Sequence, residues 1–240
     1  MVRSIGKGKL AIVTGASRGI GLSISKKLIL LGYNVFGCCR DPEKCTFTDP
    51  SFNLSKVNLM KTSEMERWIQ EIKKEGQVDL LIHNAGKGYF APFEELNWIQ
   101  IEEMITLHIT APMLLTNSLL RSLKESAGRI IFIGSIAGTQ ISPWGSAYGA
   151  TKAGLHHFGR ELFQELRKSG VKVTNLIPDI VDTDFYQGLP FGPDIDSKSH
   201  LLADCLSSAV ENILTQRDGT VISELRIQPE KFKIKKNSRI

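Results

Sequence analysis

The apolar run Leu10-Ala11-Ile12-Val13 passes directly into Thr14-Gly15-Ala16-Ser17-Arg18-Gly19-Ile20-Gly21, and the residues from about Ile20 to Leu31 then carry helical periodicity up to Gly32. A strand that turns on glycines and continues as a helix is the first half of a crossover unit, because parallel strands cannot be joined by a tight hairpin. The pattern recurs. Short apolar strands are predicted over Asn34 to Cys39, Leu54 to Val57, Val78 to His83, Arg129 to Gly134 and Val171 to Ile177, with a last edge strand within Thr220 to Ile227, before Pro229. Between them, Met65, Trp68, Ile69 and Ile72 mark one helix, Leu155, Phe158, Leu162 and Leu166 another, and a further helix lies near Leu201 to Leu214. This alternation predicts an α/β chain with a mainly parallel sheet, doubly wound and covered by helices on both faces. No linker or repeat divides the 240 residues, 42% of them hydrophobic, so residues 1–240 are expected to form a single domain.

Met1 to Lys9 carries three basic residues and no apolar run, and no stretch reaches the length of a membrane span, so a cytoplasmic protein without membrane contact is expected. Cys38, Cys39, Cys45 and Cys205 lack the paired spacing of a zinc site; they read as ordinary thiols and no metal is expected. Net charge is +5, but Lys231, Lys233, Lys235, Lys236 and Arg239 against Glu230 put most of the excess in residues 230–240. That basic tail reads as a solvated terminus, or as a shield for an acidic face of a neighbouring subunit. With no aromatic-basic platform, nucleic acid is not an expected partner.

The glycine loop has its own chemistry. Gly15, Gly19 and Gly21 let the backbone approach a pyrophosphate and let the following helix pack closely on the sheet, with the amides of Ser17, Gly19 and Ile20 near its N-terminus facing the negative charge. Where the second strand ends, Cys38-Cys39-Arg40 puts a cation in the place of the acidic residue that usually holds an unphosphorylated adenine ribose. Arg18 adds a second cation, so a 2′-phosphate is favoured and NADP(H) is expected ahead of NAD(H), although Asp41 follows directly. Asn58 and Leu59, after the third strand, fall where adenine would lie; an asparagine ending a strand serves a turn equally well.

Asn84-Ala85-Gly86 ends the Asp79 to His83 run and offers small residues on which a flat ring or ribose can lie. Ser135 follows Ile130 to Gly134 and emerges at the same sheet edge. Tyr148 and Lys152 share a helix face at i and i+4, so that an ammonium stands beside a phenol and lowers its pKa. Such a set donates a proton to a developing alkoxide from Tyr148 while Ser135 hydrogen-bonds the oxygen.

With these motifs in place, Lys9 to Pro229 resembles the short-chain dehydrogenase/reductase family: Thr14 to Gly21 its cofactor turn, Asn84-Ala85-Gly86 its sheet-stabilising motif, and Ser135, Tyr148 and Lys152 its active-site residues. The resemblance implies a Rossmann-like sheet of seven strands, a lysine that also holds the nicotinamide ribose, and a homodimer or homotetramer built on long helices near Ile101 to Ser122 and Tyr148 to Leu166. Two departures stand out. His108, in His108-Ile109-Thr110-Ala111, replaces an asparagine that orders a water in the proton relay; it either holds that water through a ring nitrogen, with a charge that disturbs Lys152, or is satisfied by packing. Pro178-Asp179 replaces a Pro-Gly pair, leaving Pro178, the Ile180 backbone and the Thr183 hydroxyl as expected nicotinamide and phosphate contacts.

Residues 184–200 read as a lid, with Phe185, Tyr186 and Phe191 closing over an apolar carbonyl compound, and Phe90, Met113, Ile136 and Trp144 as candidate walls. The expectation is an NADPH-preferring carbonyl reductase acting reversibly on a small or medium ketone or aldehyde. The alternative is a low-activity NADPH-binding regulatory or sensor protein, suggested by His108 and Asp179.

Overall fold

The computed structural model describes residues 5–236; Met1 to Ser4, and Asn237 to Ile240 with Arg239 of the basic tail, lie outside them. Seven parallel strands form the central sheet: β1 (Leu10–Thr14), β2 (Asn34–Cys39), β3 (Phe52–Lys56), β4 (Val78–His83), β5 (Arg129–Ile133), β6 (Lys172–Pro178) and, after three short strands, β10 (Glu224–Ile227). Their order is β10-β6-β5-β4-β1-β2-β3, so the winding reverses between β1 and β4, at whose carboxyl ends open α/β sheets bind ligands.

Among the described residues six α-helices cover the sheet: α1 (Gly19–Leu30), α2 (Thr62–Glu75), α3 (Trp98–Ile105), α4 (Ala111–Glu125), α5 (Ser146–Leu166) and α6 (Ala203–Leu214). Because strand side chains alternate, Ile12, Leu81, Ile130 and Phe132 pack against α2, α4 and α5, while Val13, Leu80, Ile82 and Ile131 pack against α1 and α6. On α2 the expected stripe Met65, Trp68, Ile69 and Ile72 is the buried face. Phe132 is fully buried between the rings of His83 and Phe158, and cutting it to alanine costs about 3–5 kcal/mol by the usual cavity penalty.

The helix expected over Ile101 to Ser122 is interrupted. Residues Thr106–Thr110 form a π turn between α3 and α4. Pro112, in the first turn of α4, has no N–H to return to the carbonyl of His108, and the ladder widens at that point. The turn carries His108 into the interior, where it is 1% exposed.

The tail departs most from expectation. It is not a bare solvated terminus: β11 (Ile234–Lys236) pairs antiparallel with β8 (Phe191–Pro193) in the lid. Lys233 Nζ lies 3.0 Å from Asp194 and Lys231 Nζ 2.9 Å from Asp196, while the Lys231 amide donates to the Lys198 carbonyl at 2.9 Å. The tail's lysines find acidic partners in Asp194 and Asp196, and its own Glu230 pairs with Lys198. A second clasp, β7 (Val181–Asp182) beside β9 (Leu201–Leu202), closes the base of the lid segment. No helix among the described residues is long and apolar enough to cross a membrane.

Candidate active site

A cleft of about 710 Å³ opens along the carboxyl ends of β1, β2, β4, β5 and β6, a size suited to a cofactor with a small substrate. Its floor is held by Asn84. The Asn84 Nδ2 donates to the carbonyls of Thr14 and Gly15 at 2.9 and 3.1 Å, and Thr14 Oγ1 accepts the amides of Asn84 and Ala85, each at 3.0 Å. Asn84 therefore ties β4 to β1 and leaves Ala85 and Gly86 as the flat surface.

Gly15 has φ +68°, in the left-handed region, and a Cβ on Gly21 would sit 2.1 Å from the Gly15 carbonyl oxygen, so a side chain at Gly21 cannot fit without moving the turn. Arg18 caps α1 in extended conformation with no side-chain bond, which leaves the first amides of the helix facing the cleft lined by Ser17, Gly19 and Ile20. Such a cradle fits the pyrophosphate of a dinucleotide.

The corner reached by the end of β2 is more crowded with charge than expected. Arg40 lines the cleft but its Nη1 lies 3.2 Å from Glu103 of α3, and Arg18 lies 3.7 Å from Asp184. Neither cation stands free: each is paired with a carboxylate besides the neighbouring Asp41. Lys44, paired at 3.0 Å with Asp41, adds a third cation to the same corner. Glu103 is the residue that sequence reasoning missed: only 11% of its side chain is exposed, and it also accepts from Tyr89 Oη and lies 3.4 Å from Lys87 Nζ. Burial pushes the Glu103 carboxyl upward, but Tyr89, Lys87 and Arg40 outweigh it, and its pKa falls below the ordinary value.

Asn58 and Leu59 line this end of the cleft. The Asn58 Oδ1 accepts the Met60 amide at 3.0 Å, the turn role that was open for it.

At the other end Ser135, Tyr148 and Lys152 converge, with Pro178 and Thr183 opposite. Lys152 Nζ donates to the Ile133 carbonyl at 3.0 Å and is otherwise positioned in the cleft, where burial brings its pKa down to about 8. Its remaining donors suit a ribose hydroxyl. The expected lowering of the Tyr148 pKa is not what the structure has: burial pushes the phenol up to about 12, against an opposing hydrogen bond from Ser135. The Lys152 ammonium sits 5.8 Å from the Tyr148 ring centre, too far to reverse the cost of desolvation.

Three sequence candidates lie outside the cleft wall. Gly21 packs beneath Gly15. Ile180 does not line the cleft, whereas Val181 does; the Ile180 amide donates to Asp179 Oδ1 at 2.9 Å and its carbonyl accepts from the Leu201 amide. Asp179 does not show the left-handed backbone that would demand glycine. His108 stands behind Gly86. Its Nδ1 lies 2.8 Å from Thr151 Oγ1, which already donates to the Tyr148 carbonyl, and its Nε2 accepts the Lys87 amide at 3.3 Å. The ring is therefore neutral with hydrogen on Nδ1. Burial, with Lys152 nearby, holds its pKa well below the ordinary value, so the expected charge beside Lys152 does not arise and no ring nitrogen remains for a water.

Over Tyr148 lies an aromatic cluster. Phe90 is 5.0 Å and Phe185 6.0 Å from the Tyr148 ring, and Phe191 packs on both Phe90 and Tyr186. Of the other candidate walls, Met113 is 39% and Trp144 52% exposed, and Ile136 is buried under the Ser135 loop.

The profile of the short chain dehydrogenase family matches residues 9–190. An uncharacterized oxidoreductase of Staphylococcus epidermidis is 31% identical over 229 residues, covering 93% of this chain and 98% of its own length. The NADPH-dependent 1-acyldihydroxyacetone phosphate reductase of Saccharomyces cerevisiae is 32% identical over 190 residues, 76% of this chain and 64% of that protein. Among solved structures, the alcohol dehydrogenase of Thermococcus sibiricus complexed with 5-hydroxy-NADP superposes with a TM-score of 0.83 at 26% identity, covering 92% of this chain and 96% of that one.

Proposed function

The chain belongs to the short chain dehydrogenase family of oxidoreductases, and within it we propose an NADPH-preferring reductase that converts a small or medium ketone or aldehyde to the alcohol, reversibly, with Tyr148 as general acid and base. The observation that carries this reading is the convergence of Ser135, Tyr148 and Lys152 at one end of a cleft whose other end holds Arg18, Arg40 and Lys44. Cations line the distal end, where a 2′-phosphate would lie, and Lys152 is the cation at the reacting end.

When bound, the nicotinamide supplies the hydride. Tyr148, protonated at neutral pH because burial holds its pKa near 12, donates its proton to the carbonyl oxygen as charge develops there. The Ser135 hydroxyl donates a hydrogen bond to the same oxygen, and the Lys152 ammonium stabilises the tyrosinate left behind. Phe90, Phe185 and Phe191 exclude water above Tyr148 and favour an apolar group on the substrate. Against the sensor alternative, a neutral His108 puts no charge beside Lys152, and the backbone at Asp179 is not left-handed. The exposed apolar side chains Trp98, Ile99, Met113 and Leu114 on α3 and α4 support assembly as a homo-oligomer.

Replacing Tyr148 by phenylalanine tests the reading against a panel of ketones and aldehydes. Turnover is expected to fall by about 10²–10⁴-fold, the usual contribution of a positioned acid, with NADPH affinity unchanged. Turnover equal to that of the unaltered chain refutes the role.

A further inference from the structure

We propose that His156 is a positioning residue for Ser135: its ring holds the Ser135 backbone amide and thereby sets where the Ser135 hydroxyl stands relative to Tyr148. Tyr148, Lys152 and His156 follow one another at i, i+4 and i+8 on the same face of α5, and all three are buried. The helix grips the end of β5 through two of them, one turn apart. Lys152 Nζ donates to the Ile133 carbonyl at 3.0 Å, and the Ser135 amide donates to His156 Nε2 at 3.2 Å.

The loop is shaped to admit the ring. A Cβ on Gly134 would lie 2.0 Å from His156 Nε2 and one on Gly138 2.8 Å from Cε1, so the glycines on either side of Ser135 make the space. Ser135 is then fixed from two sides: its amide by His156, and its Oγ by the Ala137 amide at 3.2 Å. The same hydroxyl lowers the Tyr148 phenol pKa against the effect of burial, and both side chains line the cleft. His156 is itself anchored, since Asn175 Nδ2 donates to its carbonyl at 2.9 Å and joins α5 to β6.

An acceptor at Nε2 requires the neutral ring with hydrogen on Nδ1, and among the described residues Nδ1 has no partner. Burial first, and Lys152 second, bring the His156 pKa down to about 4, so the acceptor is present at neutral pH. A leucine would fill this space. What histidine adds is the lone pair facing Ser135, and the cost of burying a ring nitrogen without a partner is tolerated for that acceptor.

The catalytic consequence rests on the reductase reading, whereas the grip on Ser135 does not, and two variants of the full chain separate them. His156→Leu removes the acceptor, and His156→Gln restores one through its amide oxygen. Expected is an about 10-fold lower kcat for the leucine variant, the loss of one hydrogen bond, with KM and NADPH affinity nearly unchanged and most of the rate recovered by glutamine. In nitrogen-15 spectra the unaltered chain is expected to show His156 with hydrogen on Nδ1, and the Ser135 amide signal to move in the leucine variant and return in the glutamine variant. Equal kcat in both variants with an unmoved Ser135 amide overturns the proposal. If the unaltered chain reduces no carbonyl compound, the reductase reading fails, while the Ser135 amide signal still decides whether His156 holds it.

Discussion

Along the glycine-loop wall of the cleft the links are short and made by backbone or amide groups, as where Asn84 bridges to Thr14 and Gly15 at 2.9 and 3.1 Å. Between residues 194–198 and the tail, outside the cleft lining, they are charge pairs near the surface. Lys233 to Asp194, Lys231 to Asp196 and Lys198 to Glu230 hold residues 194–198 against the tail, with lysine side chains 52–60% exposed. The first wall is pre-formed and insensitive to its solvent, because its polar groups are satisfied within the protein. The second is a strap whose hold depends on ionic strength, as exposed pairs are individually weak and screened by salt. Under the proposed function, a cofactor site that holds one shape and a lid that lets substrate pass call for these two kinds of attachment.

The comparison breaks most severely at Gly21. A methyl group placed against the Gly15 carbonyl forces the turn apart, so Gly21→Ala is expected to abolish NADPH binding in a fluorescence titration and to lower the melting temperature. Cutting the chain after Pro229 removes the strap and leaves the sheet intact. KM is expected to rise several-fold with kcat and melting temperature nearly unchanged. In the full chain 1 M salt, which shortens the screening length to about 3 Å, should raise KM in the same way, and the truncated chain should no longer respond. Salt dependence that survives the truncation removes the strap from the account.

The smallest effect sharpens the contrast by pH. Burial brings His83 down to about 3 and His156 to about 4, against about 6.5 in the unfolded chain. Between about pH 6.5 and 4 the unfolded chain therefore binds more protons, so stability is full above that window and falls as pH drops through it. Asp194 and Asp196 are held below their ordinary values, by backbone amides first and by Lys233 and Lys231 next, and keep their charge over most of this range. Melting should decline by several degrees from pH 7 to pH 4.5 while the salt dependence of KM persists at the lower pH. A flat melting profile contradicts the buried neutral histidines.

The two regions also differed in how much the amino-acid pattern revealed. Gly15 to Gly21, Asn84 to Gly86 and the Tyr148–Lys152 pair are local spacings beside apolar strands, and the structure gathers them in or beneath one cleft. The strap joins Lys233 to Asp194, and Arg40 meets Glu103 across 63 positions; charged residues so far apart leave no periodic trace. Ile180 was expected to offer its backbone, and its amide is turned to Asp179 Oδ1, a local contact that the amino-acid pattern does not show. His108 was visible as a departure, but its neutrality depends on a π turn and on Thr151, reached only through tertiary packing. His156 had a signal that was not used: it repeats the four-residue step from Tyr148 to Lys152.

The central claim is that one cleft joins a 2′-phosphate corner to a proton-donating end, and parallel equilibrium titrations with NADPH and NADH test it most directly. NADPH is expected to bind at least about 10-fold more tightly, as a charge-assisted contact to a phosphate implies, and Arg40→Glu is expected to erase that preference while leaving NADH affinity nearly intact. Equal affinity for the two cofactors, or equal losses for both in the Arg40 variant, contradicts the assignment of that corner.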